Sequence, residues 1–242
     1  MTDPQTASDR APDERIICAL DVPTTAEAAV LAERIGDAIG FYKVGLQLFA
    51  VDGMTLAREL KAQGRKIFLD WKLHDIGATV EKATANLAGA DCDLLTVHAR
   101  PQVMAAAARG AAGSKMKVLG VTVLTSLTAD DLAADDHSLS PADLVERRVR
   151  QALEAGIDGV VSSPHEAARA RALAIEAGRP DFLIVTPGVR PVGAALDDQA
   201  RAATPQAALQ AGATHLVIGR PITAAADPRA AAQEIAQQIA LI

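Results

Sequence analysis

Three charged residues stand close together in the string Asp70-x-Lys72-x-x-Asp75. On an extended segment, residues two apart face the same side, so Asp70 and Lys72 can act on one substrate. Asp75 lies beyond that segment and is free to project elsewhere. A lysine set among carboxylates stays protonated and offers an ammonium beside an anionic wall, which suits acid–base chemistry. The same residues could form a purely structural ion-pair cluster. Burying three charges is costly unless they are closely paired, however, and such groups concentrate at functional sites. Other polar candidates stand singly: Asp21, Lys43, His98, Thr125, Arg190 and Arg220. Taken alone, Asp21 reads equally as a helix cap, Lys43 as a side chain reaching out to water, and Thr125 as a turn residue. His98 reads as a core histidine. Arg220 says more, because Gly219-Arg220-Pro221 follows an apolar run and precedes a helical segment. That arrangement binds phosphate through backbone N–H groups and a nearby cation.

These residues need elements to position them. Apolar, β-branched runs recur at 16–20, 41–44, 66–69, 94–97, 118–124, 159–161, 182–185 and 215–218. Between them lie alanine-rich stretches such as 25–39, 141–155 and 165–177, with apolar residues at helical spacing. Strands apolar throughout, alternating with helices, indicate a parallel sheet covered on its outer face. Eight such repeats in 242 residues predict an α/β fold of the TIM (β/α)8-barrel type, as a single domain. An open doubly wound sheet is the alternative, but Asp21-Val22-Pro23-Thr24-Thr25 follows the first run where a Gly-rich nucleotide fingerprint would stand. Barrels of this kind carry their chemistry at the C-terminal strand ends, which is where the candidates fall. One connection, 187–204, is long and rich in Gly, Pro and Asp, as lids and binding loops are.

Composition narrows the class further. Half of the residues are hydrophobic and 22% are charged, as in a soluble globular protein. The net charge of −6 argues against a nucleic-acid partner, while leaving room for a small basic pocket that takes an anion. Cys18 and Cys92 sit in apolar surroundings and form no CxxC pair, which suits free thiols in a reducing, cytoplasmic setting. Residues 1–15 are polar and read as a disordered extension, followed by a catalytic domain over 16–242. No stretch has the length of a membrane span or the apolar core of a signal peptide. The residues alone thus point to a phosphorylated small-molecule substrate and a lysine-centred site.

The string Phe68-Leu69-Asp70-Trp71-Lys72-Leu73-His74-Asp75-Ile76 resembles the signature of the orotidine 5′-monophosphate decarboxylases. So do Ala19-Leu20-Asp21, Lys43-Val44-Gly45, Thr96-Val97-His98-Ala99 and Val121-Thr122-Val123-Leu124-Thr125-Ser126. Further on come Thr186-Pro187-Gly188-Val189-Arg190-Pro191, Asp198-Gln199-x-Arg201 and Gly219-Arg220-Pro221-Ile222. They follow the family's order and cover nearly the whole chain.

The resemblance implies a cofactor-free, metal-free carboxy-lyase, acting as a homodimer on orotidine 5′-monophosphate in uridine monophosphate synthesis. Lys72 would protonate C6 of the pyrimidine, held by Asp70 and by Asp75 reaching in from the other subunit. Lys43 would join that network and, with Asp21, hold the ribose hydroxyls. Thr125 would contact the pyrimidine. Ile76 and Thr79 would cross into the partner's site with Asp75, Thr79 meeting the ribose. Gln199, Gly219 and Arg220 would hold the phosphate, and Arg190 would anchor the adjoining loop. Two departures stand out: Gly77-Ala78 precede Thr79 where Pro and then Asn or Thr are usual, and Trp71 replaces Leu or Phe. Both are expected to affect the loop that crosses between subunits.

The alternative within the same superfamily is a Mg²⁺-dependent sugar-phosphate decarboxylase or hexulose-phosphate synthase, which uses its carboxylates as metal ligands. Gly77 leans that way, whereas the Leu-Thr-Ser, Pro-Gly-x-Arg-Pro and Asp-Gln strings lean against it. A non-catalytic, nucleotide-sensing barrel is a further alternative, disfavoured by charged residues at so many strand ends.

Overall fold

A computed structural model describes residues 11–136, 138–191, 203–240 and 242. The eight apolar runs form parallel strands: β1 (Ile16–Ala19), β2 (Phe41–Gly45), β3 (Lys66–Leu73), β4 (Leu94–His98), β5 (Lys117–Val121), β6 (Gly159–Val161), β7 (Leu183–Thr186) and β8 (His215–Ile218). Each pairs with the next, and β8 pairs with β1 through Ile16–Leu216, Ile17–Val217 and Cys18–Ile218, which closes the barrel. The helices are α1 (Thr25–Ile35), α2 (Leu46–Phe49), α3 (Gly53–Ala62), α4 (Gly77–Ala88), α5 (Pro101–Ala111), α6 (Ala129–Ala134), α7 (Pro141–Glu154), α8 (Ala167–Glu176), α9 (Pro205–Gln210), α10 (Arg220–Thr223) and α11 (Pro228–Ile239).

Local chemistry starts several of these helices. Thr24, Ser140, Thr204 and Asp227 each accept a backbone N–H in the first turn of α1, α7, α9 and α11, and Thr128 forms a reciprocal capping box with Asp131 at α6. The helical stretch expected at 25–39 is shorter, because Gly36 takes a left-handed φ of 60° after Ile35.

Strand alternation sorts the side chains into an inner column and an outer shell. Ile17, Ala19, Phe41, Phe68, Leu94, Leu119, Val185 and Val217 fill the barrel interior. Their neighbours, Tyr42, Leu69 and Leu95 among them, face the helices in a larger core. Cys18 and Cys92 belong to that outer core as free, buried thiols.

Two strands depart from the expected bounds by more than one residue. β3 continues to Leu73 rather than stopping at Leu69, because its ladder with β4 shifts register between Leu69 and Leu73 and then resumes at Leu73–Val97. β5 stops at Val121 rather than Leu124. Beyond it the Thr122 hydroxyl bonds the Val161 carbonyl at 2.8 Å, and the Leu124 carbonyl accepts from Leu127 N at 3.0 Å to form a turn.

Candidate active site

The inner column turns from apolar to polar at the C-terminal mouth. Ile17 and Ala19 are followed two residues on by Asp21, Phe41 by Lys43, Phe68 by Asp70, and Leu94 by Thr96. Period-two alternation therefore aims all four polar groups into the mouth. Lys43 Nζ lies 2.8 Å from Asp21 Oδ1 and 3.5 Å from Asp70 Oδ2, and Lys72 Nζ lies 2.9 Å from Asp70 Oδ1. The result is a line of alternating charge, Asp21–Lys43–Asp70–Lys72.

Burial alone would discharge the inner members. It pushes the Lys43 ammonium down, but Asp70 and Asp21 outweigh it and hold that pKa above the ordinary lysine value. Burial likewise pushes the Asp70 carboxyl up, but Lys43, Lys72 and the hydrogen bonds from Lys72 and Thr96 hold it below the carboxylate range. Both groups stay charged at neutral pH.

Two backbone features make the line possible. A Cβ at Gly45 would lie 2.8 Å from both Asp21 Oδ1 and Lys43 Nζ, so any larger residue there would push the ion pair out of this position. Lys72 itself has φ of 50°, in the left-handed region that a side chain occupies at a cost of about 1–3 kcal/mol. The register shift in β3 and this turn of the backbone carry Lys72 toward Asp70 rather than onward along an ideal strand. Thr96 secures the arrangement. Its hydroxyl accepts from Lys72 N at 3.0 Å and donates to Asp70 Oδ1 at 3.0 Å.

A cavity of about 330 Å³ opens at the Asp21–Lys43 end of the line and is lined as well by Gly188, Arg190, Gly219 and Arg220. Gly188, with φ of 76°, turns the chain after β7 so that Arg190 can enter this wall. Arg190 is buried, donates from Nη1 to the Val189 carbonyl and is held by its own N–H to Ala203 O at 2.9 Å. Gly219 is the N-cap of the short helix α10, where Arg220 begins. Two other cavities stand out, neither lined by Lys72. One of about 260 Å³ at the opposite face is lined by Arg15, Asp37 and Arg229, and an open groove of about 730 Å³ runs along His74, Asp75, Ile76 and Arg100.

The remaining expected residues fall elsewhere. Asp75 is exposed and its Oδ1 accepts from Ile76 N at 2.6 Å; among the described residues no ion pair joins it to Lys72 of its own chain. Ile76 is 72% exposed, and Thr79 is exposed in the first turn of α4. Thr125 lies in the turn after β5. Gln199, Asp198, Arg201 and most of the 187–204 connection lie outside the described residues, as do residues 1–10. His98 is half-buried, with its ring 5.2 Å from that of His74. Trp71 faces out of the barrel and packs on Phe49 of α2 at 4.6 Å, so its first neighbour is α2. At Gly77 an added Cβ would meet Ala106 at an ordinary 3.7 Å, so packing within the chain does not demand glycine there. The sequence reading gave Thr96 no role. Its place in step with Asp70 emerges only once β3 and β4 are paired.

A closed (β/α)8 barrel whose mouth gathers a lysine–carboxylate line and two arginines defines an enzyme for a small phosphorylated anion. The chain belongs to the Orotidine 5′-phosphate decarboxylase / HUMPS family, whose model matches residues 14–235. It is 62% identical over 228 residues to a protein of Caulobacter vibrioides named orotidine 5′-phosphate decarboxylase, covering 94% of this chain and 98% of that one. A protein of the same name from Cereibacter sphaeroides is 54% identical, with 94% and 97% covered. The crystal structure of orotidine 5′-phosphate decarboxylase from Lactobacillus acidophilus superposes with a TM-score of 0.81 at 36% identity, covering 94% of this chain and 99% of that one.

Proposed function

We propose that this chain is a carboxy-lyase that converts orotidine 5′-monophosphate to uridine 5′-monophosphate and carbon dioxide, in the last step of de novo uridine monophosphate synthesis. The observation that carries this reading is a cavity lined by Asp21, Lys43, Arg190 and Arg220, with Lys43 joined through Asp70 to Lys72 by the line of alternating charge. A nucleoside monophosphate has matching ends: ribose hydroxyls and a pyrimidine for the charged line, and a phosphate for the arginines and the Gly219 backbone. Gln199 joins the phosphate group in this reading, and Thr125 meets the pyrimidine.

The chemistry follows from charge. Breaking the bond between C6 and the carboxylate releases carbon dioxide and leaves the electron pair on C6. The Lys72 ammonium lies beside that carbon, stabilises the growing negative charge and then gives it a proton. Asp70 holds the ammonium in place and sets a negative charge near the departing carboxylate, so that release relieves repulsion. No single contact suffices: one preorganised electrostatic contact is worth about 3–4 kcal/mol, and enzymes lower barriers by roughly 8–23 kcal/mol. Neither step calls on a cofactor or metal.

The site is completed by a second copy of the chain in this reading. Asp75, Ile76 and Thr79 are exposed, Asp75 makes no ion pair with its own Lys72 among the described residues, and the exposed faces of Ile76 and Phe49 invite burial. Covering one isoleucine contributes about 1.5–3 kcal/mol. Among the described residues no helix is long and apolar enough to cross a membrane. Two buried thiols accord with a reducing cytoplasm.

The test is the absorbance change of orotidine 5′-monophosphate with purified protein in EDTA. Loss of substrate with release of uridine monophosphate is expected. No turnover without Mg²⁺, and turnover of a sugar phosphate with it, would overturn the reading. Lys72→Ala is expected to lower turnover at least roughly 10³-fold while nucleotide binding stays measurable.

A further inference from the structure

Helix α7 buries Leu144, Val145, Val149 and Ala152. Arg148 falls on that same stripe, four residues after Leu144 and four before Ala152, where the spacing calls for an apolar side chain. It is half-buried, and a guanidinium stays charged in proteins, so its N–H groups need acceptors. Among the described residues no carboxylate pairs with it. Burial, and then the charge of Arg100, press its pKa down.

What the guanidinium meets is a backbone carbonyl: Nη1 of Arg148 donates to Thr122 O, one residue past the end of β5. Thr122 is already tied to β6, its N–H and its hydroxyl both donating to Val161 O, at 3.1 and 2.8 Å. The loop then turns through the Leu127 N to Leu124 O bond and ends in the Thr128 capping box. Thr125 lies between these anchors. The charge of Arg148 also bears on His98 at the end of β4, together with that of Lys72.

We propose that Arg148 is a positioning residue for the pyrimidine-reading loop: its bond to the Thr122 carbonyl, made from a helix buried against the barrel, fixes where Thr125 stands over the mouth. The inference rests on the reading of Thr125 as a pyrimidine contact. It assigns Arg148 no contact with substrate.

The test compares two ligands on the intact protein. Uridine monophosphate uses both ends of the site, whereas ribose 5-phosphate lacks the pyrimidine. In Arg148→Met, uridine monophosphate is expected to bind about tenfold more weakly while ribose 5-phosphate binds unchanged, the loss matching one hydrogen bond to a charged group. Arg148→Lys, which can donate to the same carbonyl, is expected to recover most of the difference. Equal weakening of both ligands, or of neither, would overturn the proposal. Should the Met variant not fold, Arg148→Gln carries the same comparison, with selective loss supporting the proposal and equal loss overturning it. Thr125→Ala separates the two layers of the argument. If it leaves uridine monophosphate binding intact, the reading of Thr125 fails and the proposal falls with it. If it weakens binding while the Arg148 variants do not, only the role of Arg148 fails.

Discussion

Thr96 accepts a hydrogen bond from the Lys72 amide on its hydroxyl oxygen and donates one to Asp70, so one side chain holds both the left-handed backbone of the lysine and the carboxylate that orients it. Thr96→Val keeps the shape and removes both bonds. We expect kcat to fall roughly ten- to a hundredfold with the far-ultraviolet circular dichroism unchanged. A variant with wild-type kcat would remove Thr96 from the site. His98 sets a different expectation. Burial first, then His74, Lys72, Arg148 and Arg100, depress its pKa below the ordinary histidine value. The folded protein therefore binds fewer protons here than the unfolded chain. The associated stability is fully present above about pH 6.5 and is lost as pH falls from there toward the depressed value. The melting temperature should drop between about pH 7 and pH 5, and His98→Gln should flatten part of that drop. His215, depressed mainly by burial, accounts for a further part. An identical slope in the His98 variant would contradict this account.

At the scale of elements, the two ends of the barrel use carboxylates differently. At the N-terminal end, Asp93 accepts from Ile67 N at 2.7 Å and Lys61 at 2.9 Å, and Asp158 accepts from Val118 N and Lys117, both at 2.9 Å. These carboxylates are absorbed in starting strands and holding neighbours together. At the C-terminal end, Asp21 and Asp70 instead hold Lys43 at the edge of a cavity. Gly45 marks the difference. Gly45→Ala places a methyl group against Asp21 and Lys43, and should lower kcat/KM at least roughly tenfold with little change in melting temperature. Loss of stability without loss of kcat/KM would refute that. The strands and the main charged residues were legible because apolar runs and period-two alternation are local properties of the chain. The ends of β3 and β5 were not. The register shift that lengthens β3 and the Thr122 bond that ends β5 both depend on the strand next door. The role of Thr96 was hidden for the same reason, since a lone threonine acquires meaning only from the aspartate across the ladder.

For the whole molecule, the site is shared between two chains in the reading given above. Lys72→Ala and Asp75→Asn should each be inactive alone, because one removes the proton donor and the other its partner across the interface. Mixed and allowed to exchange, they should recover up to about a quarter of wild-type activity, since half of the statistical dimers are mixed and each mixed dimer has one intact site. No recovery between folded, exchanging variants would place Asp75 in the site of its own chain. The sequence offered Asp75 and Ile76 for this role only through the family resemblance. Within one chain they are simply exposed, and no single-chain contact shows what they meet.

The two cysteines lead to a practical property. Cys18 and Cys92 are buried, and burial pushes their thiols up to about 12 and about 11, so neither offers a thiolate to reagents near neutral pH. The natural chain is thus a silent background for sulfhydryl labelling. A cysteine introduced on the exposed surface, at Ile175 of α8 for instance, becomes a unique chemical address without first stripping the protein of its own. A maleimide probe there could follow subunit exchange directly, in the protein as it is made.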